Sequence, residues 1–313
     1  AAISLGVNTT PLIDLVRDTK NPAGLRAAAV AAMAERKDKQ LPAAAELAMN
    51  ADEPALRLAG IRTLPAVPNG MTALGMVMTN GTPRERQAVV QTAAATIDSK
   101  DKAVAKDAET ILRGAYEMLE KGTLPAEAQL DLLTAAAKKK TGKLADSHKA
   151  YEAKRAAAAA ADPLATWRET LAGGDADRGA YIFKERADVS CMRCHAIKGV
   201  GGNAGPDLSG LLARSGPAGR EHILESIVYP PKKIAPGWET VSIETRDGDT
   251  IAGVLKSETA DAVSLDVPNQ GEVIVAKSKI EKRRGGMSGM PEDIVKTLTK
   301  QDVRDLVEFL AGQ

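Results

Sequence analysis

Aromatic side chains are scarce in this sequence, with two Phe, two Trp and four Tyr among 313 residues. Cysteine is scarcer still, since Cys191 and Cys194 are the only two. They are too few for a four-ligand structural zinc site, because the remaining histidines, His148 and His222, are single and distant in sequence. An excess of charge of one sign is also lacking: 42 basic residues face 41 acidic ones. That balance gives no indication of a nucleic-acid polyanion or an anionic membrane as partner. No long apolar run exists either. The alanine-rich segment ending at Ala161 is bounded by Lys154, Arg155 and Asp162, well short of the ~20 apolar residues of a membrane span. A basic n-region and an apolar h-region are missing, so Ala1-Ala2 is compatible with a mature or truncated start and export has to be inferred.

What is present is one dense motif, Cys191-Met192-Arg193-Cys194-His195. A C-x-x-C-H run is the attachment pattern of a c-type haem: each thiol adds to one vinyl group of the porphyrin, and the adjacent histidine is held beneath the iron. A thioredoxin-like dithiol would follow a buried strand, and Ala187-Asp188-Val189-Ser190 is too polar for one. The motif sets the expectation of one haem c, covalent through Cys191 and Cys194, with His195 as axial metal ligand.

Residues 1 to about 160 are alanine-rich, with apolar positions recurring at three and four, and read as helical throughout. Asn21-Pro22, Glu53-Pro54 and Thr82-Pro83 each stand at a helix start, where the missing N–H of proline costs nothing. Arg26, Arg57 and Arg86 align behind them at a spacing of about 30 residues, which suggests stacked helical hairpins. The segment resembles HEAT-type repeats with a shortened period; an ordinary helical bundle is the alternative. A fourth unit around Arg113 lacks the leading proline, and a helix beginning near Pro125 would close the stack. Such a solenoid offers a concave surface to a partner or acts as a spacer. Gly173-Gly174 ends a further turn carrying Trp167 and Leu171, which places the boundary between about 155 and 174 and gives domains 1–160 and 161–313.

From there the chain resembles a class I cytochrome c. Gly179-Ala-Tyr-Ile-Phe183 matches the Gly-x-x-x-Phe of its first helix, and Leu306-Val-Glu-Phe309-Leu310 matches the last helix that crosses it. Gly205-Pro206-Asp207-Leu208 is similar to the loop whose proline carbonyl accepts a hydrogen bond from the haem histidine, which implies that role for Pro206. Between about 239 and 284 the pattern alternates, with Val241, Ile243 and Thr245 on one face and Asp247-Gly248 as a hairpin turn. This small antiparallel insert, after Pro236-Gly237-Trp238-Glu239-Thr240, is similar to that of a haem-binding family described from planctomycete-type bacteria, and the likeness covers about residues 174–313. The fold implied is mainly α: a HEAT-like solenoid, then a class I cytochrome c-like helical domain with a small β insert.

The resemblance further implies Met290, directly before Pro291 in a loop ahead of the final helix, as the second iron ligand, with Met287 and His222 as the competing candidates. It implies a periplasmic or otherwise exported electron carrier that is not itself an enzyme. Electrons would come from a sugar or alcohol dehydrogenase of the PQQ-like type and pass to a cytochrome or oxidase. The competing class is a ligand-binding or peroxidase-like monohaem protein with an open sixth position. Gly286-Met287-Ser288-Gly289-Met290 lacks the closing glycine of a hydrolase nucleophile elbow.

Overall fold

A computed structural model describes residues 11–267 and 270–313. The chain divides into two compact units, one ending at Ala157 and the other spanning Ala158–Gln313. Among the described residues the first unit is all helical: α1 (Leu12–Arg17), α2 (Ala23–Glu35), α3 (Leu41–Met49), α4 (Pro54–Thr63), α5 (Gly70–Asn80), α6 (Pro83–Thr96), α7 (Lys102–Glu120), α8 (Ala126–Ala137) and α9 (Lys143–Ala159), whose last residues run past the division. Successive helices form hairpins, and α2, α4, α6 and α8 pack on one another in series. Proline opens each helix of that row, as the residue before it at Pro22 and Pro125 and as its first residue at Pro54 and Pro83.

Two of the aligned arginines, Arg26 and Arg57, join neighbouring hairpins. Arg26 donates from Nε to the Val16 carbonyl at 3.0 Å and from Nη1 to Glu53 at 2.8 Å. Arg57 donates to the Ala51 and Asp52 carbonyls at 2.8 and 2.7 Å and to Glu85 at 2.6 Å. Arg86 closes its own hairpin on the Gly81 and Thr79 carbonyls at 2.9 and 2.7 Å. The fourth member of the row is α8, led by Pro125. Arg113 belongs to α7, the opening helix of that hairpin, so the expected fourth unit around it is displaced by one helix.

The second unit holds α10 (Ala176–Glu185), α11 (Cys191–Cys194), a two-stranded ribbon β1 (Ala196–Ile197) and β2 (Val200–Gly201), α12 (Leu211–Ser215), α13 (Gly219–Val228), and α14 (Lys300–Ala311). Between α13 and α14 lies a sheet of β3 (Glu239–Thr245), β4 (Thr250–Glu258), β5 (Ala262–Val267), β6 (Gly271–Ala276) and β7 (Ile280–Ser288), antiparallel throughout, in the order β6-β5-β4-β3-β7. Gly248, at φ 91°, makes the β3–β4 turn.

This sheet overturns the mainly-α expectation. The chain is 57% helical with a five-stranded sheet, a mixed α/β fold and not a cytochrome-like helical domain with a small insert. The sheet has its own core of Val241, Ile243, Val263, Leu265, Val267 and Val275. Its last strand escaped detection because Glu281-Lys-Arg-Arg-Gly-Gly286 shows no apolar alternation: residues 281–287 are all exposed, on an edge. The methionine loop expected over Gly285–Pro291 is therefore largely strand, with Met287 paired opposite Thr240.

Helices α10 and α14 cross closely. A Cβ on Gly179 would lie 2.0 Å from the Asp305 carbonyl oxygen, so only glycine allows this approach. Phe183 and Phe309 meet beside it with ring centroids 5.7 Å apart. Charge reinforces the crossing: Arg178 pairs with Asp302 at 2.8 Å and Asp305 at 3.1 Å, and the Asp175 N–H donates to Asp305 at 2.9 Å. Burial alone would raise the pKa of Asp302, but hydrogen bonds from Arg178 and from the Thr299 hydroxyl and amide, with Arg186 nearby, hold it down at about 2.

Both tryptophans, Trp167 and Trp238, lie in the second unit, so their fluorescence reports its unfolding. In urea titrations Phe309→Ala is expected to lower stability by roughly 3 to 5 kcal/mol, and Gly179→Ala to be comparably damaging; a loss below about 1 kcal/mol in both would place the crossing elsewhere.

Asp302 also makes a signed pH prediction. Its folded pKa is depressed below the ordinary 3.8, so its contribution is present above that value and fades as pH falls toward about 2, by about 2 kcal/mol in full. Stability of the wild type should drop over that acid range, and Asp302→Asn should be less stable at pH 7 and lose that part of the pH dependence.

Candidate functional site

The residues singled out at positions 191–206 fold into one compact segment. Ser190 takes a left-handed backbone, φ 51°, and starts the single helical turn of α11; the Arg193 N–H donates to the Ser190 carbonyl at 3.0 Å and the His195 N–H to the Cys191 carbonyl at 3.0 Å. The chain then turns back through β1 and β2 over Lys198-Gly199, both at positive φ. Gly202 and Gly205 return their N–H groups to the Met192 and Cys194 carbonyls at 2.9 and 2.8 Å. No other residue fits there: a Cβ on Gly202 would lie 1.9 Å from the Arg193 carbonyl oxygen, and one on Gly205 would lie 2.6 Å from His195 Cε1.

This wrapping fixes the His195 ring. Its Nδ1 lies 2.9 Å from the Pro206 carbonyl oxygen, so Nδ1 carries the proton and donates, and Nε2 keeps its lone pair. Burial depresses the pKa of the imidazole and the carbonyl only partly opposes it, so the ring is neutral at pH 7. Cys191 is half-buried against the core that holds Phe183 and Phe309, and burial pushes its thiol up to about 11. It is therefore protonated and weakly nucleophilic at neutral pH, while Cys194 is exposed. Met192, Ile197, Leu208, Leu211 and Leu212 rest partly buried on the same core.

The other candidates stand on other elements of the chain. Met290 follows β7, with its N–H donating to Ser288 Oγ at 3.1 Å, and it is not among the apolar side chains packed on that core. Met287 lies within β7. His222 sits near the start of α13, partly buried. His148 belongs to the first unit, where Nδ1 lies 2.9 Å from the Tyr116 hydroxyl.

The expectation of one haem c held through Cys191 and Cys194 is corrected here. Both cysteines are free thiols, and among the described residues no group of three or more His, Cys, Asp and Glu side chains could hold a metal ion. The structure does not show a c-type haem site: the segment presents one imidazole nitrogen and two free thiols. A C-x-x-C-H pattern fixes the spacing of donors along one turn, and spacing along the chain does not gather a ligand set in space.

Sequence reading missed the clamp behind the ribbon. The Asp207 carboxylate accepts from the Ser209 amide at 2.7 Å and the Gly199 amide at 3.2 Å, and Ser209 Oγ accepts from the Lys198 amide at 2.5 Å. Hydrogen bonds from Ser209 hold Asp207 below the usual carboxylate range. The available signal was Asp-x-Ser, an Asx-turn pattern, set beside a Lys-Gly turn.

No family profile matches this sequence, and no curated protein matches it. Among the described residues no helix is long and apolar enough to cross a membrane.

Gly205→Ala should push the His195 ring off the Pro206 carbonyl. The ring then gains water, and its pKa should rise toward the ordinary 6.5, read by NMR titration of the imidazole resonances. An unchanged titration would mean that the loop yields and the ring does not.

Proposed function

We propose that the chain is an exported electron-transfer protein, not itself an enzyme, whose redox site is the Cys191–His195 segment. One observation carries the reading: the His195 ring is held by Pro206 and walled by Gly205, so a single neutral nitrogen is kept in one direction and one protonation state. An imidazole that must not titrate or swing during use is built this way, whereas an acid–base histidine would be left near its ordinary pKa. The donor in this reading is a sugar or alcohol dehydrogenase of the PQQ-like type, and the acceptor a cytochrome or an oxidase.

The test uses the full chain recovered from its exported state. Electron uptake is followed by coulometric titration and during substrate oxidation by candidate dehydrogenases. Uptake linked to substrate oxidation is expected in the wild type and should fall at least about tenfold in His195→Ala. Uptake at an unchanged rate in that variant, or none in the wild type, overturns the reading.

A further inference from the structure

The sheet ends on β7, which no other described strand covers. Among the described strands β7 pairs with β3 alone, so its outer backbone edge is open. It is nine residues long, carries no proline, and is exposed from 281 to 287. An edge of that length is a template for another strand unless something blunts it. What it carries is a run of cations, Lys282-Arg283-Arg284, in a chain whose formal net charge is only +1. Lys282 pairs with Glu244 at 3.2 Å and Arg283 with Glu258 at 2.8 Å; among the described residues Arg284 has no carboxylate partner. The run ends at Gly285-Gly286, where two residues of β7 face Val241 alone on β3 and Gly286 stands at φ 73°, a bulge that bends the strand. The opposite edge, β6, has neither lysine nor arginine.

These features select among occupants. A second copy pairing β7 on β7 would set cations against cations, which is destabilising across a strand pair. A bilayer needs its cations on one plane, whereas three successive strand residues project to alternate faces. An incoming strand with successive carboxylates meets both faces and satisfies the open N–H and C=O groups at once. We propose that the free edge of β7 takes an extended acidic segment of a partner protein as a sixth strand, held by backbone hydrogen bonds and selected by Lys282, Arg283 and Arg284.

The probe is a labelled octapeptide with three consecutive glutamates flanked by valine and threonine, titrated with the full chain by fluorescence anisotropy. Saturable binding that weakens with salt is expected. It should weaken on the order of tenfold for Arg284→Glu and disappear for the same peptide N-methylated at alternate residues, which cannot pair with an edge. Circular dichroism checks that the variant keeps its fold, and the N-methylated peptide tests the idea on the wild type. Equal binding of the methylated peptide, insensitivity to Arg284→Glu, absence of binding, or capture of the chain by phosphatidylserine vesicles in preference to the peptide would each overturn the proposal.

Discussion

The second unit depends on the approach of α10 to α14. Because Gly179 has no Cβ, the two backbones come within contact of one another, and Phe183 and Phe309 close the space beside the crossing. The same core receives Val189 and, partly, Cys191 and Met192, so the one-turn helix that carries the motif is anchored through it. The crossing is also where carboxylates are buried. Asp305 is fully buried and burial raises its pKa, which opposes folding at neutral pH; the Asp175 amide and Arg178 offset that cost. A buried carboxylate whose pKa is raised adds little net stability even when paired. What it gives here is register, since its bonds reach the residue that caps α10 and the arginine one turn further along.

How legible each part was follows from where its signal resides. The crossing could be read because a glycine and two phenylalanines are conspicuous in a chain with so few aromatics. Strand β3 was visible because Val241, Ile243 and Thr245 are buried on one face, and β4 to β6 because each carries an apolar run that reaches the sheet core. Strand β7 was invisible for the same reason reversed: with no buried face its residues are free to be Lys, Arg and Gly, the composition of a loop. The wrapping of His195 by Gly202, Gly205 and Pro206 was half legible, since small residues after a motif suggest close approach but do not say to what. The Met290 assignment rested on its place before Pro291, and a proline restrains the backbone of its neighbour without saying where the side chain goes.

The first unit illustrates a different limit. Its repeat was found through proline and arginine, the two residues that do the same job in successive hairpins. Proline starts the inner row of helices, and arginine ties the incoming loop to the acid of the next hairpin, Glu53 or Glu85. The last hairpin keeps the proline and drops the arginine. Searching for the arginine therefore led to Arg113, one helix early.

The two halves of the chain solve the shortage of large side chains differently. Alanine-rich helices bury little area each, about 25 cal/mol per Å² of it, and so gain from specific polar ties that fix how neighbours stack. The Arg26–Glu53 and Arg57–Glu85 pairs serve there, with Arg26 almost wholly buried and Glu85 shielded. In the second unit both phenylalanines meet at one crossing, and polar ties are spent on holding a loop against a ring. A loop fixed by backbone hydrogen bonds and by glycines without room for substitution keeps the His195 nitrogen in place at no cost in core packing. Rigidity there comes from the backbone.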